Sequence, residues 1–172
     1  LYAKPNPGNV PGVGDKPVYR QIQAQDRDDA IAQAQELQEK IDGAHGIINI
    51  GPKGEVDAYS IRRSVGGLPI SHTERMRMFG LRVPSRFKGQ SYRGEMYFTD
   101  AKGHAIPFKD VSGLLNMLPA RSLQAQRERG VSPRIALFDQ VSDAPRTERQ
   151  QAIQELIQNL PPELFHTPES AR

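Results

Sequence analysis

The chain has 172 residues, 37% hydrophobic and 25% charged, the balance of a globular domain long enough to bury a core. It contains no cysteine, which excludes disulfides, thiolate nucleophiles and cysteine-based zinc sites, and no apolar run approaches the ~20 residues that span a bilayer. The net charge is only +3, yet residues 62–93 hold eight Lys and Arg against the single acid Glu74, so the remainder of the chain is net negative.

Residues 1–17 carry Pro5, Pro7, Pro11 and Pro17 with Gly8, Gly12 and Gly14, a composition that reads as a linker or extended arm. Residues 18–172 read as a single domain. The chain starts on leucine, which suggests a processed product or a part of a longer protein, so its localisation stays open.

The alternation Val18, Ile22, Ala24 predicts a short strand over residues 18–24. Asp26 can cap the helix that follows, and Asp28 and Asp29 sit in its first turn, where carboxylates meet the positive end of the helix dipole. Ala30, Ala34, Leu37 and Ile41 recur at helical spacing and Gly43 supplies a stop, giving an acidic helix over about residues 27–42.

Two similar hairpins are predicted next. Ile47-Ile48-Asn49-Ile50 leads through Gly51-Pro52-Lys53-Gly54 into residues 55–61, and Met96-Tyr97-Phe98-Thr99 leads through Asp100-Ala101-Lys102-Gly103 into residues 104–108. Pro107 has no N–H to donate, which places the last of these strands at a sheet edge. The basic segment lies between the hairpins. Ser71 or Thr73 can cap a short helix within it that runs to about Phe79.

Beyond it, a short turn is expected near residues 111–118. A helix follows over about 120–129, closed by Gly130, and another over about 146–160, whose stripe is Ala152, Ile153, Leu156, Ile157 and Leu160. Thr147 with Gln150 fits a capping box at its start, and Pro161-Pro162 ends it. The resulting fold class is α+β, with a mainly antiparallel sheet built from two β-hairpins, an N-terminal strand–helix unit and C-terminal helices. The first strand–helix–strand unit can add one parallel pair.

A +7 window implies an anionic partner, internal or external. As an external site, Arg62, Arg63, Arg75, Arg77, Arg82, Arg86 and Lys88 would bind a polyanion, most plausibly nucleic acid. Internally, the same cations would face the acidic helix over 26–42. Phe79, Phe87 and Tyr92 interleave with the cations as stacking residues do in single-strand binders. Met76 and Phe79 are expected to face the core, because with Leu81 they would otherwise expose a large apolar patch. A second basic cluster, Arg121, Arg127, Arg129 and Arg134, would reinforce the anion reading if it shared a face with the first.

His72 beside Ser71, Glu74, Arg75 and Arg77 has the makings of metal-free phosphodiester chemistry, imidazole as acid or base and guanidinium on the developing charge. An enzymatic toxin or effector domain of a larger secreted protein, acting on RNA or an NAD-like substrate through His72, Arg75 and Arg93, is therefore an alternative. A third reading is a protein-interaction domain docking on an acidic partner.

His45, His72, His104 and His166 show no metal-ligand spacing, and no cofactor can be named. Residues 51–54 lack the glycine spacing and Lys-Ser/Thr ending of a phosphate loop. Glu55 and Asp57 lack the Glu-x-Lys strand that metal-dependent nucleases place beside such acids. Tyr92-Arg93-Gly94 resembles the arginine-bearing strand that begins some NAD-using transferase sites, but no Ser-x-Ser strand or Glu-x-Glu loop follows, and no family is assigned.

Overall fold

A computed structural model describes residues 10–15 and 43–168. The strand over 18–24, the helix over 27–42 and most of the N-terminal arm lie outside the described residues.

The sheet has six strands: β1 (Ala44–Ile50), β2 (Val56–Arg63), β3 (Pro69–Ser71), β4 (Ser91–Thr99), β5 (Ser132–Gln140) and β6 (Phe165–His166). Their order is β3-β2-β1-β4-β5-β6, antiparallel except for the β5–β6 pair, so the fold is α+β with a mostly antiparallel sheet. The helices are α1 (Phe108–Asn116), α2 (Pro119–Arg129) and α3 (Arg146–Ile157).

The first hairpin forms as its sequence predicts. Ile50 faces Val56, and Gly54 turns the chain at a φ of 80°. A Cβ at Gly54 would collide with the carbonyl oxygen of Val83, so glycine is required there for two reasons. Ile47 and Ile48 are both fully buried, one on each face of the sheet, which explains the unbroken apolar run of β1.

The second hairpin is a correction. Its turn forms: the Asp100 carboxylate accepts from the N–H groups of Lys102 and His104. The return strand, however, shrinks to the single bridge Thr99–Ala105, and Pro107 is not an edge-strand residue but the N-cap of α1. Its φ of −60° suits helix entry, and the edge of β4 that carries the bridge, opposite β5, is already taken by β1 as far as Met96. Sequence patterning assigns β5 to no element. The observed parallel pair is β5–β6, at the other end of the chain from the one expected.

Pro119 occupies the first turn of α2, and Gly130 closes the helix at a φ of 63° with its N–H on the Arg127 and Gln126 carbonyls. The capping box of α3 does not form. Pro145 stands at the N-cap with no side-chain cap, and Gln150 Nε2 donates instead to the Phe138 carbonyl at 3.1 Å.

One face of the sheet carries the main core, in which Ile48, Ile50, Met96, Phe98, Ile135 and Leu137 pack with Leu114, Ile153 and Leu156 of the helices. On the opposite face Val10 and Val13 pack on Ile47 and Tyr59, and the Gly14 N–H donates to the Ile61 carbonyl at 2.6 Å. Thus a piece of the stretch that reads as linker or arm is docked on the sheet.

Candidate functional site

The basic segment leaves the sheet at the end of β2 and returns at the start of β4, so its cations are spread over several places. Arg63 lies at the outer end of β2, where its guanidinium donates to the Gly67 carbonyl at 3.0 Å and to that of Val13 at 3.4 Å. Arg62 beside it is exposed. At the other end of β2 the Val56 N–H donates to the Leu81 carbonyl. Eight residues of strand put the Arg62–Arg63 pair roughly 23 Å from the segment around Arg82.

Residues 72–80 form consecutive turns rather than the short helix expected. Arg75 Nε donates to the Met117 carbonyl at 2.7 Å, capping the C-terminal end of α1, and its Nη1 reaches the Ser71 carbonyl at 2.9 Å. Arg77 Nε donates to Gln126 Oε1 at 2.9 Å and its Nη2 to the Val131 carbonyl at 3.0 Å, just past α2. The fully buried Gln126 in turn donates to the Arg75 carbonyl at 2.8 Å and to Ser122 Oγ at 3.1 Å. Arg75 and Arg77 therefore tie this connector to the helices, satisfying carbonyls that a helix end leaves free. Burial lowers the pKa of Arg77, and the nearby charge of Arg127, one member of the second basic cluster, lowers it further.

Arg77 has a φ of 57°, the only positive value outside glycine among the described residues. That left-handed conformation costs a side-chain-bearing residue ~1–2 kcal/mol, offset here by the two guanidinium bonds. Three residues later the chain is turned again at Gly80, φ 79°. Between them Met78 points inward and Phe79 outward.

Phe79 is 79% exposed, whereas Met76 and Met78 are buried. Met76 thus faces the core as expected, but Phe79 does not: Met78 occupies the inward position that the pattern offered to it. Phe87 and Tyr92 are buried as well, so the three interleaved aromatics do not form a joint stacking platform. Beside Phe79 lies a groove of about 430 Å³ with Leu81, Pro133, Pro161 and Leu164 in its walls.

His72 is 6% exposed, and its Nδ1 lies 3.5 Å from Arg75 Nη1, an arrangement that suits an unprotonated acceptor nitrogen. Burial first, and the Arg75 charge second, push its pKa down to about 4, so the ring is neutral at neutral pH. Arg93 stands elsewhere. It pairs across β1 and β2 in the row Arg93–Ile47–Tyr59–Ser71, three inter-strand steps or roughly 14 Å from Ser71. Its guanidinium is ion-paired with Asp15 at 2.8 Å. The structure brings His72 and Arg75 together and leaves Arg93 apart from them.

The remaining cations gather at the hairpin end of the sheet. Val83 N–H donates to the Gly54 carbonyl at 2.8 Å, Val56 N–H to Leu81 at 3.0 Å and Gly89 N–H to Ile50 at 2.8 Å, while Phe87 anchors the 3₁₀ turn Ser85–Phe87 in the core. The backbone that carries Arg82, Arg86 and Lys88 is thereby fixed beside the turn that carries Lys53, with Glu55 bridged to Arg82. All four cations are exposed, and none makes an ion pair among the described residues. Arg86 stacks on the Phe87 ring at 4.4 Å, which occupies one face of the guanidinium and leaves its N–H edge outward. Lys53 joins this patch unannounced by the sequence window, since it comes from the hairpin turn; the Gly54–Val83 approach is what brings it there.

Among the described residues no group of three His, Asp or Glu could hold a metal ion, and no helix is long and apolar enough to cross a membrane. Compared with protein-family models and with curated proteins, the chain matches none.

Proposed function

We propose that the protein is a polyanion-binding module and that its polyanion is nucleic acid. The observation that carries this reading is the patch of Lys53, Arg82, Arg86 and Lys88, four exposed cations held by backbone hydrogen bonds at one end of the sheet with no ion pair among the described residues. Cations with a structural task are tied to carbonyls or carboxylates, as Arg75, Arg77 and Arg93 are. These four make no such tie among the described residues. Fixed donors on a rigid rim suit a phosphate backbone, whose counterions they would release on binding.

The alternative of an enzyme acting on RNA or an NAD-like anion through His72, Arg75 and Arg93 has weaker support, since His72 is enclosed and Arg93 is distant. Docking on an acidic protein surface uses the same patch and is separated by the test.

Binding of fluorescent single- and double-stranded oligonucleotides should weaken steeply between about 50 and 200 mM salt, with a slope of log affinity against log salt of about −3. The triple variant Arg82→Glu/Arg86→Glu/Lys88→Glu should lower affinity at least a hundredfold at low salt. Unchanged binding in that variant, or no binding by the parent at about 50 mM salt, would sink the proposal.

A further inference from the structure

We infer that the groove beside Phe79 seats an unpaired nucleobase, so that the preferred polyanion is single-stranded; this rests on the reading above and names the form of nucleic acid it takes. An aromatic ring with 79% of its surface in water, next to two buried methionines, is an arrangement that folding alone does not require. The backbone that carries the ring is also held in place. Arg77, in its left-handed conformation and bonded to Gln126 and Val131, fixes one side of the Phe79 backbone, and Gly80 fixes the other. The Leu81 N–H closes the turn on the Met78 carbonyl at 3.0 Å.

The volume of about 430 Å³ admits a flat heterocycle, and proline and leucine share the lining with the phenyl ring, which makes much of it apolar. The polar part of the lining is Arg77, Ser132 and Glu163, which provides donors and an acceptor for base edges. Cations surround the slot. Arg77 is in its rim, Arg82 directly follows the lining residue Leu81, and Arg134 Nη1 holds the far wall by donating to the Glu163 carbonyl at 2.8 Å and to that of Pro162 at 3.2 Å. Positive charge around an apolar slot that also contains an acid favours a ligand with a flat uncharged ring and an anionic backbone. A duplex keeps its bases stacked internally and cannot offer one.

The test compares Phe79→Ala and Phe79→Trp with the parent protein, using a single-stranded oligonucleotide and a duplex of the same length. Phe79 is exposed, so both variants are expected to fold, and thermal unfolding checks this. Phe79→Ala should weaken single-strand binding about tenfold or more with duplex binding unchanged, and Phe79→Trp should retain it. Equal single-strand affinity in Phe79→Ala overturns the inference while leaving the charge-based function standing, whereas a parent that binds no nucleic acid removes both. Concentration-dependent dimerisation lost in Phe79→Ala, or binding of an aromatic acidic peptide in preference to the oligonucleotide, would assign the groove to a protein and likewise overturn it.

Discussion

Residues 71–77, with two cations, and 81–88, with three, are close in sequence, yet the first set turns them inward and the second outward. Arg75 and Arg77 hold helix ends, and their partners are main-chain carbonyls and one buried glutamine. Arg82, Arg86 and Lys88 sit on a loop whose own backbone is satisfied by the hairpin beside it, and among the described residues their side chains make no ion pair. A run of positive charge is therefore not one property. Whether a guanidinium binds its own protein or something else depends on which carbonyls lie within reach.

The sharpest way to break this contrast is Gln126→Ala. It leaves the Arg75 carbonyl, Ser122 and the Arg77 guanidinium without a shared partner in the interior, and should cost about 3 kcal/mol in urea unfolding. A loss under about 1 kcal/mol would mean that the inward arginines are dispensable.

Acid should weaken the inward side next. The His72 pKa is about 4 in the folded protein against the ordinary 6.5 of histidine, so between those values the native state holds fewer protons than the unfolded one. Its contribution is complete above about pH 6.5 and is lost as pH falls from there toward 4, by up to about 3 kcal/mol. His45 and His166 are lowered too, mainly by burial, and act in the same direction. The difference between the parent and His72→Gln, measured by unfolding across pH 4 to 7, isolates the share of His72; identical pH profiles would contradict it.

Smallest in stability is the outward side. The Arg82, Arg86 and Lys88 triple reversal should move unfolding by less than about 0.5 kcal/mol, in contrast to its effect on binding. A large destabilisation would show that these cations carry structural load after all.

How far the sequence speaks follows from the same distinction. The first hairpin is legible because its turn chemistry and its two-sided apolar run are local, and α2 because Pro119 and Gly130 mark its ends. The return strand after residue 103 is not, since its shortness depends on β1 taking that edge of β4 as far as Met96. In β5 itself the run Ile135-Ala136-Leu137-Phe138 fits a buried strand or a helix segment equally. The direction of Arg75 and Arg77 is settled by partners 42 to 54 residues away, and no local pattern contains them. Phe79 fails for a subtler reason: the alternation of Met76, Met78 and Phe79 is interrupted by a backbone turn at Arg77 that the residue type does not announce.

The stitch between Gly54 and Val83 also has a kinetic consequence. A loop that must be ordered on binding slows association and costs about 0.5–1.5 kcal/mol for each immobilised side chain, with further loss from the backbone. Here the backbone that carries Arg82, Arg86 and Lys88 is already fastened to the hairpin, so only the side-chain ends remain to be ordered. Encounter with a polyanion should then be governed by long-range attraction rather than by rearrangement, with an association rate that is fast in dilute salt and falls as ionic strength rises.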